Sequence, residues 1–395
     1  MADTFRFRKL MKWAFLVVLL AGLFYPAKRF AESVPFDDFL AYWSAARLQL
    51  TGKNPYSLEQ LHDLQKAVGF KDDVPLMMWY PPWAFPLFFL FGCFNFVTGR
   101  AFWLLAHLFL LVFCTSKLWR LYGGSQKDVL LAWAFALTFA PSTFVLRNGQ
   151  MALVLLTGIV GFLYFEKARN DWGAGISLYL LAIKPHLAFL FWIALCLWIL
   201  ERKRWTILKS AMLSVAVATV LPLFLNPNLI GQSLRVKANL PPFDWVTPTL
   251  GTLLRIVFGP EKVFLQWLPT IAMSIGLVFY WGAKKKDWSW SEQLPLLIAL
   301  GLFTTIYSWA SDLVLLLPLL IQILLMLSQH VGIETMLCLF VYMLLNCMAF
   351  VMNICGVNGA YYAWISPAIL MSYLQIHKRS LLAEAASGST TPIQS

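Results

Sequence analysis

Charge is what this sequence has least of. Of its 395 residues 13% are charged and 60% hydrophobic, where an ordinary soluble domain is about a quarter charged and nearly half apolar. With a mean hydropathy of +0.69, a water-soluble globule is excluded and the solvent of the chain is lipid. Acids are the scarcer sign, 19 Asp and Glu against 31 Lys and Arg. The resulting charge of +12 still does not mark a nucleic-acid binder, because the basic residues sit in short segments between apolar runs and build no solvated basic face. Cysteine is sparse as well. Cys93, Cys114, Cys196, Cys338, Cys347 and Cys355 lie mostly inside apolar runs with no C-x-x-C pair, which excludes a disulfide framework or a zinc site. No short-period repeat is present, which excludes a solenoid. What is abundant is aromatic: 18 Trp and 13 Tyr, suited to interfacial belts and to binding sites alike.

The apolar residues are gathered into runs at 10–27, 84–98, 101–119, 128–146, 151–165, 172–186, 187–200, 206–225, 263–282, 294–308, 313–328, 335–352 and 361–376. A hydrocarbon core about 30 Å thick takes roughly 20 residues per helix. The first run follows Arg6, Arg8, Lys9 and Lys12 as a signal peptide would, but Lys28 and Arg29 stand where small residues should mark cleavage, so it is expected to remain as a span. If every run crossed the membrane, the basic loops 117–127 and 201–209 would face outward, against the positive-inside bias. Treating 84–98 as an interfacial or re-entrant helix repairs this, because it is short, follows Pro81-Pro82 and contains Pro86. The expected fold is therefore all-α: one polytopic domain over 1–379 with about 12 transmembrane helices. Both termini are cytoplasmic, extracytoplasmic loops occupy 28–100 and 226–262, and 380–395 forms a disordered cytoplasmic tail.

The first loop carries its own pattern. Phe36, Phe39, Trp43, Ala46 and Leu50 recur at 3-4-3-4 spacing, which predicts an amphipathic helix over 36–50 lying on the bilayer, with Asp38 beside Ala45 and Gln49 facing water. Gly52 and Asn54-Pro55 stop it. Ser57 to Gln60 forms a capping box that starts a second helix ending near Gly69.

Ionisable residues near membrane depth are costly and mark candidate sites. At the outer side these are Asp37, Asp38, Arg147, Lys184, His186 and Asp312. Either aspartate is a candidate general base, and both also suit a helix N-terminus. Arg147, in Arg-Asn-Gly-Gln150, suits an anionic ligand or simple snorkelling. Lys184, in Lys-Pro-His186, suits phosphate stabilisation. His186 suits a proton relay or an interface, and Asp312 suits a site or an N-cap.

The string from Asp38 through Tyr42 to Arg47, followed by Gly52-Lys-Asn-Pro55-Tyr56, resembles the first-loop signature of glycosyltransferase family 87. That family lies within the GT-C superfamily of polyprenyl-phosphate-sugar-dependent transferases, typified by mannosyltransferases. Tyr80-Pro81-Pro82, Gly149-Gln150, Lys184-Pro185, Arg202 to Trp205 and Tyr307-Ser-Trp309 with Asp312 continue the likeness in order, over roughly 30 to 320, and no motif follows Pro318. The resemblance implies a cell-membrane hexosyltransferase with Asp38 as the catalytic aspartate, although the doubled Asp37-Asp38 leaves the choice open. The expected substrate-binding set is Asp37, Tyr42, Tyr80, Arg147, Gln150, Lys184, His186 and Asp312. The expected partners are a polyprenyl-phosphate-linked sugar donor (mannose or another hexose), a lipid or glycan acceptor and membrane lipids. A phosphate leaving group requires no general acid, so one carboxylate acting as base gives inversion, whereas a retaining route would use a second carboxylate. Neither a metal nor a cofactor is expected, and no D-x-D motif occurs. The alternative function is a polytopic lipid or glycan transporter or flippase, for which buried midplane charges are usual, whereas these charges cluster at one face.

Overall fold

The structure is a computed structural model that describes residues 22–239, 245–328 and 333–387. It is 79% helical and contains no strand among the described residues, so the all-α expectation holds. Among the described residues six helices are long and apolar enough to cross a membrane: Phe96–Leu121, Pro185–Arg202, Trp205–Leu223, Phe264–Asp287, Ala310–Ser328 and Met336–Ile354. The pair Gln126–Thr138 and Ala140–Asn148, bent by 63°, makes a seventh if taken as one broken span.

The expected count of about 12 is not confirmed, and the difference has local causes. Runs 151–165, 172–186 and 294–308 fold as Ala152–Lys167, Asp171–Leu181 and Trp290–Thr304, of 16, 11 and 15 residues, each short of a full crossing. Asn170 caps the second of these by accepting from the Gly173 N–H, directly after Arg169 at φ 55°. Pro185 then starts a 3-10 turn, and Thr305 turns extended after the third. The run at 10–27 lies largely outside the described residues.

By its internal contacts the chain falls into two compact units that interleave along the sequence. The first comprises Met1–Phe109, Leu146–Gln150 and Ala216–Leu240, and the second comprises Leu110–Val145, Met151–Val215 and Pro241–Ser395.

The first unit is built around helix Asp38–Leu50, and this helix is the main correction to the sequence reading. It does not lie on a surface: Phe39, Trp43 and Ala46 are buried, and so are Ala41, Tyr42, Ser44, Ala45 and Gln49 on the remaining faces. Its small residues allow neighbours to approach closely; a side chain at Gly92 would meet the Ala46 Cβ at 2.9 Å. Several of its polar groups find partners inside. The Gln49 amide donates to the Pro222 carbonyl at 2.7 Å, and the Ser44 hydroxyl donates to the Leu40 carbonyl at 2.6 Å. Ser44 also accepts from the Gln65 amide, which brackets Leu76 by donating to its carbonyl at 2.8 Å and accepting its N–H at 2.9 Å. Buried polar groups paired in this way specify the packing as well as tolerate burial.

The second helix, Leu58–Ala67, starts at Ser57 as predicted, with the hydroxyl accepting from Gln60 N–H. The reciprocal arm differs, because the Gln60 side chain accepts from Asn54 N–H and so ties down the preceding turn. The segment 84–98 is not a span: it is a 3-10 turn, Pro82–Leu87, and a single helical turn, Phe89–Gly92. It is also less regular than the interfacial helix expected there, because Pro86 cannot donate in a continuing α-helix.

The second unit contains the hairpin Ala152–Lys167 with Asp171–Leu181, where glycines allow close contact; a Cβ at Gly158 would lie 2.9 Å from the Ser177 carbonyl. Its aromatic core joins Phe162, Phe191, Trp198 and Trp290 at centroid separations of 5.1 to 5.6 Å. The last helix runs to Ser387, so the first part of the tail expected to be disordered is helical, and 388–395 lie outside the described residues.

Candidate functional site

Consecutive acids open the central helix of the first unit, and the fold treats them differently. Asp37 is the N-cap: one oxygen accepts the Phe39 N–H at 3.1 Å, satisfying a donor that the helix leaves open. The other accepts from Arg100 Nη2 at 2.7 Å and Nε at 3.2 Å. The Arg100 and Asp37 side chains are only 5% and 9% exposed, so this is a buried ion pair, and both partners must be saturated for it to be tolerated. They are saturated. Arg100 gives its remaining donors to the carbonyls of Ala31 at 3.0 Å and Val34 at 3.1 Å, and to that of Pro35. Burial raises the Asp37 carboxyl above its ordinary range, and the charge and hydrogen bonds of Arg100 work against that rise.

Asp38, one residue on, is half-buried and meets the side-chain amide of Gln150. Gln150 is buried and follows Gly149, whose φ of +62° lies in the left-handed region. Glycine is required there on two grounds. The left-handed conformation disfavours a side chain, and a Cβ would lie 2.9 Å from the Phe39 Cβ and 3.1 Å from Asp37 Oδ2. The Gly149 carbonyl accepts from the Trp103 indole at 2.9 Å, and Trp103 packs against Phe39, Tyr42, Phe88 and Phe91 at 5.0 to 5.9 Å. A small cleft at the Asp37–Arg100 pair is lined further by Phe30, Trp103, Leu146 and Gly149.

Tyr42, one turn after Asp38, shares a hydrogen bond with Tyr80 at 3.1 Å. The Tyr80 carbonyl accepts from the Tyr56 hydroxyl at 2.7 Å. The motif residues Tyr42, Tyr56 and Tyr80 therefore form one buried chain. Arg147 is exposed in the last turn of Ala140–Asn148.

The second unit holds the other expected residues. Lys184 and Asp312 form a buried ion pair at 3.0 Å. Asp312 also accepts the Trp309 N–H at 2.9 Å, so it caps the 3-10 turn Ala310–Leu316. The His186 ring lies on Tyr307 at a centroid distance of 4.0 Å, and its carbonyl accepts from Thr305 at 2.9 Å. Trp245 packs on Tyr307 and Trp309 at 5.4 and 5.5 Å.

Within the first unit, then, the fold brings together Asp37, Asp38 and Gln150, and joins Tyr42 to Tyr80. Within the second it brings together Lys184 with Asp312, and His186 with Tyr307. The residue that sequence reasoning missed is Arg100. It falls at the end of the loop expected over 28–100, yet it stands one turn inside a 26-residue apolar helix, where a lone arginine needs a buried carboxylate.

No curated protein and no solved structure matches the chain. The family model for glycosyltransferase family 87 matches residues 79–350. The match begins after Asp37 and Asp38, takes in Tyr80, Arg100, Arg147, Gln150, Lys184, His186 and Asp312, and continues past Pro318, where the sequence motifs stop. It decides between the two activities left open above in favour of sugar transfer. With several helices able to cross a membrane and a family match over well more than half of its length, this chain belongs to glycosyltransferase family 87 as a membrane glycosyltransferase.

Proposed function

We propose that the protein moves a hexose, mannose in the first instance, from a polyprenyl-phosphate donor to an acceptor hydroxyl. The transfer occurs at the extracytoplasmic face with inversion, Asp38 is the general base, and both termini are cytoplasmic. The observation that carries this reading is the difference between two adjacent carboxylates. Asp37 has both oxygens committed to Arg100 and to the helix N-terminus. Asp38 is half-buried and oriented by the amide of Gln150. A general base needs a fixed direction and access to a proton, and only the second acid offers both.

In this mechanism the acceptor hydroxyl gives its proton to Asp38 as its oxygen attacks the anomeric carbon. The bond from that carbon to the phosphate oxygen breaks, and its electron pair leaves with the polyprenyl phosphate. Phosphate is a sufficient leaving group without a general acid or a metal. Arg147 is the cation in the first unit best suited to the growing charge, because the guanidinium of Arg100 is saturated by Asp37 and three carbonyls. Tyr42, on the helix that Asp38 begins, supports the site together with Tyr80 through their shared hydrogen bond. The Lys184–Asp312 pair and His186 with Tyr307 order the 305–312 segment of the second unit, a further candidate for substrate contact.

The test is transfer from labelled polyprenyl-phosphate mannose in membranes carrying the full chain. Asp38→Asn is expected to lose transfer by about 10²- to 10⁴-fold, the range for a lost general base. Undiminished transfer by Asp38→Asn would sink the assignment.

A further inference from the structure

The doubled aspartate poses a physical problem that the fold must solve. Two carboxylates on consecutive residues repel, and in such a pair one proton is held more tightly than either group would hold alone. A base at Asp38 is useless while it carries that proton. Arg100 comes from a different helix, 63 positions away in sequence, and its guanidinium lies against Asp37 at 2.7 Å. Both side chains are buried, where charges are screened little. The same guanidinium gathers the carbonyls of Ala31, Val34 and Pro35, so it also fixes the entry of the chain into the helix that Asp38 begins.

We propose that Arg100 is a positioning residue for the transfer reaction: it sets the place of Asp38 through Asp37 and cancels the Asp37 charge beside it, leaving Asp38 able to accept a proton. The inference rests on the reading of Asp38 as the base. The other charged and titratable groups on surrounding elements are engaged elsewhere, exposed or half-buried. Arg29 and Glu32 pair with each other at 3.5 Å on the surface, and Lys28 is half-buried on the same helix. Arg47 donates to the Gly92 carbonyl at 3.1 Å. His107 is buried, with Nδ1 3.0 Å from the Trp103 carbonyl, and Arg147 is exposed. The Tyr80 hydroxyl is hydrogen-bonded to Tyr42. Among these groups, Arg100 is the cation in contact with Asp37.

The experiment is the pH dependence of kcat/KM for labelled polyprenyl-phosphate mannose in vesicles carrying the full chain, because its acid limb reports the base in the free enzyme. Arg100→Gln removes the cation and is expected to move the acid limb up by about one pH unit. Asp37→Asn keeps an acceptor for the Phe39 N–H, leaves the Arg100 cation in place, and is expected to move the limb down. Arg100→Lys keeps the charge without the fork, so its limb stays with the wild type while kcat falls about tenfold. A residue that only held the fold together would lower the yield of folded protein in all three and leave every limb in place. Displacement in opposite directions upholds the proposal. A limb at the wild-type position in whichever of Arg100→Gln and Asp37→Asn folds overturns it. Asp38→Asn is assayed alongside: full transfer there removes the base itself, whereas a dead Asp38→Asn with unmoved limbs removes only the role of Arg100.

Discussion

Lys184 Nζ lies 3.0 Å from Asp312 Oδ1, with the two side chains 8% and 1% exposed. The sequence invites Lys184 to be read as a phosphate ligand, but its charge is already balanced, and Asp312 is further held by the Trp309 N–H. A buried pair of this kind contributes little net stability, and removing one partner leaves an uncompensated charge. Lys184→Met and Asp312→Asn are each expected to destabilise the protein by about 3–5 kcal/mol, and Lys184→Met/Asp312→Leu together to recover most of that loss. Unfolding of the purified chain in detergent measures all three. A double variant no more stable than the single ones would show that the pair is not the unit that matters, and would return Lys184 to the list of phosphate ligands.

Gly149 combines a left-handed backbone with close packing. Its φ of +62° and the 2.9 Å approach a Cβ would make to Phe39 act together, so Gly149→Ala must either abandon the left-handed conformation or push the Asp38 helix away. Backbone strain alone costs about 1–3 kcal/mol. Either response shifts Gln150 relative to Asp38, and misplacement by about 1 Å can cost about 100-fold in rate. Gly149→Ala is therefore expected to lose transfer far beyond its loss of stability. Kinetics and unfolding measured on one preparation would check this, and a fall in stability with transfer per folded molecule unchanged would count against the seat proposed for Gly149.

Much of this was legible in the sequence, and what was not has a common cause. Signals carried by neighbours in sequence came through: the stop at Gly52, the cap at Ser57, the prolines that break 82–87, and the pair Asp37-Asp38 at a helix start. Signals that depend on a distant partner did not. The 3-4-3-4 spacing over 36–50 was real, but it cannot tell a helix on a bilayer from one whose polar face finds Gln65 and the Pro222 carbonyl. Asp37 could not be separated from Asp38 until Arg100 and Gln150 stood against them. The span count suffered in the same way, because an apolar run scores as a crossing whether or not its helix is long enough, and Ala152–Lys167, Asp171–Leu181 and Trp290–Thr304 stop short.

In the proposed mechanism Arg147 meets the charge on the leaving phosphate. It occupies the last turn of Ala140–Asn148, where a cation complements the helix dipole and a long side chain can snorkel to the interface. Those roles account for its position without any part in transfer. They separate from the proposed role by kinetics. If the guanidinium meets charge that grows as the sugar departs, its contribution is larger in the transition state than with bound donor, so Arg147→Gln lowers kcat more than it raises KM. The expected fall in kcat is about 10- to 100-fold, below the loss of a fully enclosed donor because the residue is exposed and water and salt share the work. Arg147→Lys keeps the charge as a point without the planar fork and should fall between the two. Rising ionic strength should reduce the wild-type rate toward that of Arg147→Gln and leave the variant nearly unchanged. A variant with wild-type kcat at every ionic strength would assign Arg147 to the interface, and the charge on the departing phosphate would then need a cation from elsewhere in the chain.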